Sequence, residues 1–370
     1  MGKNTITNNR KSKALLYGFM AFLLIIIYFR STSFRISDES FVVYNNSYYD
    51  GFVSAGLIGT LWQGFCNIFS IDYMSYIDIY RTGKIMLIVY YILFLLVLCI
   101  AINRSDSAYR KNTVLIAFAT IVLSGSMFAN GSTLGYFDMY MAIVLMLSMI
   151  VLLLDRGWFL LPILSLIGIL IHPSYLIKCM PVIIALLIYN RGKRDRIIAV
   201  ISVTTSAVLY IISEAYVMLF SGEEATSSLV PSWSGYIKCY IDLVLYIIFM
   251  IPFIIIGIRL YRRIRKDAGS KDKKIYSLLN FLIMGIIIEF VVKTDYGFLI
   301  YYVWIYYLLI MMYQNSRGDK CFTKEFEYTV NVIKDTLPVP VILLAYPVIF
   351  IPITRTNISS VCSFIAELFV

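Results

Sequence analysis

The chain has 370 residues, of which 60% are hydrophobic and 15% charged, and its mean hydropathy is +0.81. A soluble domain carries about 45–50% apolar and about 25% charged residues, so a soluble fold is excluded: its interior could not hide this much apolar surface. The net charge of +10 sits in short loops between apolar runs and not on one polar module, which argues against nucleic acid as a partner.

Taken in chain order, the apolar runs predict about eleven membrane-spanning helices, because a span needs about 20 apolar residues, or somewhat fewer with snorkelling flanks. They fall at Ala14–Phe29, Ile85–Asn103, Thr113–Phe128, Tyr136–Leu154, Gly157–Ile171, Ser174–Tyr189, Ile197–Ile212, Ile241–Leu260, Tyr276–Val292, Tyr296–Tyr313 and Pro338–Ile353. The basic tail of 13 or so residues (Lys3, Arg10, Lys11, Lys13) precedes the first run, and no small-residue cleavage site follows it, so that run is expected to stay as a span. Such a chain is an all-α polytopic membrane protein in one embedded domain, 1–370, without a separate soluble module.

Charge orients the spans. Twenty-four of the 32 Lys and Arg residues fall in the tail, Arg104–Lys111, Arg156, Arg191–Arg196, Arg259–Lys274 and Arg317–Lys334. The positive-inside rule then puts the N-terminus in the cytoplasm, the basic loops 191–196 and 261–275 on the same side, and the C-terminus outside. Reading Gly157–Tyr189 as one span would send the eight-charge loop Arg259–Lys274 to the other side, which favours two spans there.

The first outer loop, residues 30–84, contains Gly51–Phe69 (GFVSAGLIGTLWQGFCNIF), apolar, glycine-rich and uncharged. Such a segment is expected to lie in the outer interface or to re-enter the bundle. A second outer loop, Ser213–Tyr236, carries Glu214, Glu223 and Glu224.

Ionisable groups at membrane depth point to a pathway or site. Asp138, His172, Lys178, Asp242, Glu289, Lys293 and Asp295 all lie near the outer ends of their predicted spans, as an outward-facing polar cavity would require. The plain alternative, favoured for Lys178, Lys238 and Asp242, is that each charge snorkels to the headgroups.

His172, the only histidine, stands in Leu170-Ile-His-Pro-Ser-Tyr-Leu176, where Pro173 must break the helix. An imidazole there can serve as a base on a sugar hydroxyl or orient a pyrophosphate, against a surface turn without a role. Asp138 near a helix N-terminus either caps the helix, binds sugar hydroxyls, or with a divalent ion holds a lipid-linked pyrophosphate. Lys293-Thr-Asp295-Tyr-Gly297 forms a short outer turn, followed by the aromatics Tyr301, Tyr302, Trp304, Tyr306 and Tyr307. The six cysteines (Cys66, Cys99, Cys179, Cys239, Cys321, Cys362) show no metal spacing. No Walker A, GxGxxG, HExxH or serine-elbow motif occurs, so neither a cofactor nor a metal is expected.

Four segments taken in order, Asp50-Gly-Phe-Val-Ser-Ala-Gly-Leu-Ile-Gly-Thr60, Gly135-Tyr-Phe-Asp138-Met, Ile171-His-Pro-Ser174 and Thr294-Asp-Tyr-Gly297, resemble bacterial polysaccharide-assembly membrane proteins of the EpsG-like and repeat-unit polymerase type. The ordering covers most of the chain, but the arginines usual in that group near the positions of Ala55 and Phe298, natural bidentate partners of phosphate, are missing.

The resemblance implies polymerisation of undecaprenyl-pyrophosphate-linked oligosaccharide units at the outer face of the bacterial cytoplasmic membrane, in exopolysaccharide, capsule or O-antigen synthesis. It implies membrane lipids and other assembly proteins as partners. In that frame His172 is a base or phosphate contact. Asp138 and Asp50 contact sugar or acceptor, Lys178 and Lys293 supply positive charge, and Asp295 and Glu289 complete the substrate-binding set. The alternatives are a polyprenyl-phosphate-sugar glycosyltransferase, for which an acidic pair such as Asp38-Glu39 is the relevant signal, a secondary transporter or flippase, and a non-catalytic scaffold.

Overall fold

The computed structural model describes residues 2–31, 38–50, 55–72, 75–124, 134–190, 192–220, 258–266, 269 and 296–336. Among the described residues all regular structure is helical. Helices α1 (Gly2–Ser31), α2 (Asp38–Asn45), a 3₁₀ turn (Tyr48–Asp50), α3 (Leu57–Phe69), α4 (Tyr76–Arg104), α5 (Arg110–Ser124), α6 (Phe137–Leu154) and α7 (Leu160–Ile171) form the first part. They are followed by α8 (Tyr175–Lys178), α9 (Met180–Asn190), α10 (Lys193–Phe220), a helical stretch at 258–266, α11 (Tyr296–Ser316) and α12 (Lys320–Thr336). A helix pairs its own N–H and C=O groups, which is what a chain this apolar needs where no water can reach the backbone.

Among the described residues, three helical segments are long and apolar enough to cross a membrane: Tyr76–Arg104, Phe137–Leu154 and Lys193–Ile212. Lys13–Phe29, Leu160–Ile171 and Tyr175–Asn190 are shorter apolar helices. Of these, α6 is central, with nearly every side chain from Phe137 to Leu153 buried against α4, α7 and α9. The peripheral helices leave apolar stripes uncovered: Phe22, Ile25, Ile26 and Phe29 on α1, Ile85, Ile88, Ile92 and Leu96 on α4, and Ile197, Val200, Ile201, Val208, Ile211 and Ile212 on α10. Stripes of that size on a bundle whose interior is also apolar match a hydrocarbon surround.

Polar contacts tie the basic segments together at one end of the bundle. Lys13 Nζ and Tyr17 Oη reach Asn103 Oδ1 at 3.0 and 2.8 Å, and Arg104 donates to the Leu154 carbonyl at 2.7 Å. Asp155 faces Arg317 at 3.4 Å and Arg194 at 3.5 Å, while Arg317 also donates to the Leu152 carbonyl at 3.3 Å. Asn315 bridges to the start of α5 through Thr113 Oγ1 (2.6 Å) and the Tyr109 carbonyl (2.9 Å). Lys13, Arg104, Arg194 and Arg317 thus lie at one end of the bundle.

The same contacts settle how residues 157–189 run. Trp158 stacks under Arg194, and Asn190 accepts from Tyr313, so the start of α7 and the end of α9 both lie at the basic end. The chain goes out along α7, reverses at 172–179, and returns along α9. Two glycines permit the tight packing near that reversal. A Cβ at Gly168 would lie 2.6 Å from the Tyr175 ring, and one at Gly59 would lie 1.9 Å from the Asn46 carbonyl oxygen, where α3 crosses the end of α2.

Several boundaries differ from those the sequence predicts. Helix α4 starts at Tyr76, not Ile85, because Ser75 caps it by accepting from the Asp78 N–H (3.4 Å) and Arg81 pairs with Asp78 one turn on. Helix α10 continues past Ile212 to Phe220 through a stretch with neither Gly nor Pro. Residues 320–336, expected within a loop, form α12, which begins where Asp319 accepts from the Phe322 N–H at 3.0 Å. The glycine-rich outer segment is helical over Leu57–Phe69. It buries Ile58, Trp62 and Cys66 and leaves Leu61, Phe65, Ile68 and Phe69 as an exposed apolar edge. The predicted spans Tyr276–Val292 and Pro338–Ile353, most of Ile241–Leu260 and most of the loop Ser213–Tyr236 lie outside the described residues.

The shared basic end makes a labelling prediction. In a background lacking the native cysteines, Ser107→Cys and Lys193→Cys react with an impermeant maleimide from the same side of the membrane, and Tyr49→Cys reacts from the opposite side. Modification of all three from one side of sealed vesicles would contradict the fold.

Candidate functional site

The end opposite the basic loops gathers the first turn of α6, the reversal between α7 and α9, and the α2–α3 cap. Helix α7 must end at His172. The His172 N–H still bonds back to the Gly168 carbonyl at 3.1 Å, but Pro173 has no N–H to continue the ladder. The next N–H, that of Ser174, would ordinarily serve the Leu170 carbonyl. It donates instead to His172 Nδ1 at 3.1 Å, and the Leu170 carbonyl accepts from the Tyr48 hydroxyl at 3.1 Å. A tyrosine of the 3₁₀ turn therefore fills the gap the break leaves.

The Ser174 hydroxyl lies 2.6 Å from the same Nδ1 and also faces Met141 Sδ at 3.7 Å. The half-buried imidazole packs on Phe137, ring centroids 4.9 Å apart, which sets it over the N-terminus of α6.

One turn beyond the break, Lys178 turns inward. Its Nζ meets Asp138 Oδ1 at 2.7 Å, and the side chains are only 9% and 5% exposed. This corrects the expectation that Lys178 snorkels to the headgroups: its charge is neutralised inside the bundle. Neighbouring contacts fasten the same corner, with Cys179 Sγ facing the Met141 carbonyl (4.0 Å) and the buried Tyr306 hydroxyl facing Cys179 Sγ (3.7 Å). A short charged pair with both members this buried holds its two helices in fixed register, since separating them leaves charge without solvent.

The α2–α3 cap closes on α6 through tyrosines. Tyr44 and Tyr140 hydroxyls are 2.6 Å apart, and Tyr44 stands edge-on to Trp62 of α3 at 5.7 Å between centroids. Burial pushes the Tyr44 phenol up to about 12, so at neutral pH it is an uncharged hydroxyl. The Tyr48 N–H donates to Thr60 Oγ1 at 2.7 Å, which joins the 3₁₀ turn to α3.

Of the residues singled out in the sequence, Asp138, His172 and Lys178 come together here. Asp50 ends the adjacent 3₁₀ turn (Tyr48–Asp50). Asp38 opens α2 and is exposed. Glu289, Lys293 and Asp295 lie outside the described residues, as do Lys238 and Asp242. Among the described residues no three His, Cys, Asp or Glu side chains converge as metal ligands. Sequence inspection missed Tyr48, Tyr44 and Tyr140. In a chain with 30 tyrosines nothing in their spacing sets these three apart.

No family model matches the chain, and neither the curated proteins nor the solved structures contain a significant match.

The buried pair yields a stability prediction. Asp138→Leu or Lys178→Met alone leaves one uncompensated charge and lowers unfolding stability by about 3–5 kcal/mol, while the double variant recovers most of the loss. Thermal unfolding of the four proteins in one detergent checks this; additive losses in the double variant would show that the two charges do not act as a pair.

Proposed function

We propose that this protein polymerises or transfers lipid-linked oligosaccharide repeat units at the extracytoplasmic face of the bacterial cytoplasmic membrane. The observation that carries the proposal is the half-buried His172, presented at a helix break beside the buried Asp138–Lys178 pair, at the end away from the basic loops. By the positive-inside rule that end faces out. Lipid-linked units displayed outside would approach a bundle whose flanks are apolar.

The reaction is a displacement at the anomeric carbon. A hydroxyl oxygen of the acceptor bonds to that carbon, its bond to the pyrophosphate oxygen breaks, and the electron pair leaves with the lipid pyrophosphate. The hydroxyl proton passes through water to the departing pyrophosphate. Asp138 and Lys178 occupy one another, so their part is to position the His172 turn. Asp50, Lys293, Asp295 and Glu289 remain substrate-contact candidates.

The buried ion pair and the broken helix also suit a secondary transporter or flippase of the same pathway, in which such features mark a substrate path. Deletion in the native host, with surface glycan resolved by gel and lipid-linked intermediates extracted, separates the two. A polymerase deletion accumulates single lipid-linked units on the outer leaflet without long chains. Complementation by wild type, but not by His172→Ala or Asp138→Asn present at equal membrane level, is expected. Units retained on the inner leaflet would establish the transporter instead, and unchanged glycan would remove both.

A further inference from the structure

We propose that the helical stretch 258–266 is a binding surface for anionic phospholipid headgroups in the leaflet at the basic end of the bundle. Its sequence, Ile258-Arg-Leu-Tyr-Arg-Arg-Ile-Arg-Lys266, holds five cations and no carboxylate. Leu260, Tyr261 and Ile264 are buried on one helical face, whereas Arg259, Arg262, Arg263, Arg265 and Lys266 are exposed. Arg259, Arg262 and Lys266 stand at i, i+3 and i+7, which stacks them on the face opposite the buried three.

Contacts to two neighbours fix where that face sits. The Tyr261 ring meets Tyr307 of α11 at 5.8 Å between centroids, and the Arg263 guanidinium lies 3.7 Å from the Tyr328 ring centroid of α12 and 3.7 Å from Glu325. Asn112, at the start of α5, donates to Glu327 at 3.1 Å, so α12 and the stretch beside it lie at the end where Arg104 and Arg317 finish α6. Arg263 is committed to α12. Among the described residues the other four cations form no ion pair, unlike Arg194 and Arg317, which share Asp155.

The placement selects the anion. Ile258, exposed and apolar, directly precedes Arg259, so the surface passes from apolar to cationic within one helical turn, as it must where hydrocarbon gives way to headgroups. A phosphate held at that depth meets guanidinium groups that can grip it bidentately. Four unpaired cations on a folded face repel one another until an anion enters between them, and a leaflet containing anionic lipid supplies that anion at high local concentration. The inference rests on the membrane-embedded bundle and not on the proposed reaction.

Native mass spectrometry of the full-length protein, taken from micelles with equal amounts of phosphatidylglycerol and phosphatidylcholine, reads the preference directly. A cation near an anionic leaflet strengthens attachment by about fivefold at low ionic strength. Wild type is therefore expected to retain phosphatidylglycerol over phosphatidylcholine by about tenfold or more, and R259Q/R262Q/R265Q/K266Q to fall to about parity. The control K111Q/R156Q/K193Q/R196Q removes the same charge from exposed positions at the same end and should keep the preference. The single variants R262Q and K193Q repeat the comparison with a smaller disturbance of the fold, a loss of about fivefold against none. Equal losses in the paired variants would assign the effect to net charge and overturn the site. So would the absence of a preference in wild type, or its survival in R259Q/R262Q/R265Q/K266Q.

Discussion

Two opposite charges buried in an apolar bundle must find each other, and the meeting of Asp138 with Lys178 organises the distal half of this structure. Desolvating each ion costs several kcal/mol, which only a close partner offsets, so the first turn of α6 and the turn after Pro173 are fixed to one another. Cys179 and Met141, Ser174 and Met141, and Tyr306 and Cys179 follow from that registration. A hydrophobic pair of similar volume would pack as well. What the charged pair adds is a penalty for any shift in register, the best-attested use of a buried polar contact.

The opposite end is held by different physics. Arg104 and Arg317 donate to the Leu154 and Leu152 carbonyls, which are among the four C=O groups that the end of α6 leaves without partners. Cations at a helix C-terminus also face the negative end of its dipole. Basic residues thus finish the central helix, and Asp155 between Arg194 and Arg317 keeps them in place. The clustering of basic segments at one end and the termination of α6 are served by one set of side chains.

The outline was legible because period and charge are local properties. Ile85–Asn103 and Tyr136–Leu154 announce helices through unbroken apolarity, and the bias of basic residues names the loops that meet at one end. The reversal at His172–Pro173 was legible for the same reason, since proline acts on its own neighbours. The Asp138–Lys178 pair was not, because 40 residues separate its members and a lysine near a span end usually reaches for water. The start of α4 was misplaced because its first turns are polar and held by Ser75 and Asp78, a capping signal that hydropathy ignores. Tyr48 was hidden most deeply. Its role depends on an orphan carbonyl that exists only after Ser174 has turned to His172.

That last dependence links the segment from Tyr48 to Phe69 to the candidate site. The 3₁₀ turn carrying Tyr48 is fastened to α3 through Thr60, and α3 reaches α6 through Trp62, Tyr44 and Tyr140. A displacement of α3 would therefore strain the bond to the Leu170 carbonyl and free that acceptor to reclaim the Ser174 N–H. Since α3 presents Leu61, Phe65, Ile68 and Phe69 outward, its seat is set by whatever apolar surround it rests in. The turn at His172 is in this way tied, through the Tyr48, Thr60 and Tyr44 contacts, to the position of α3.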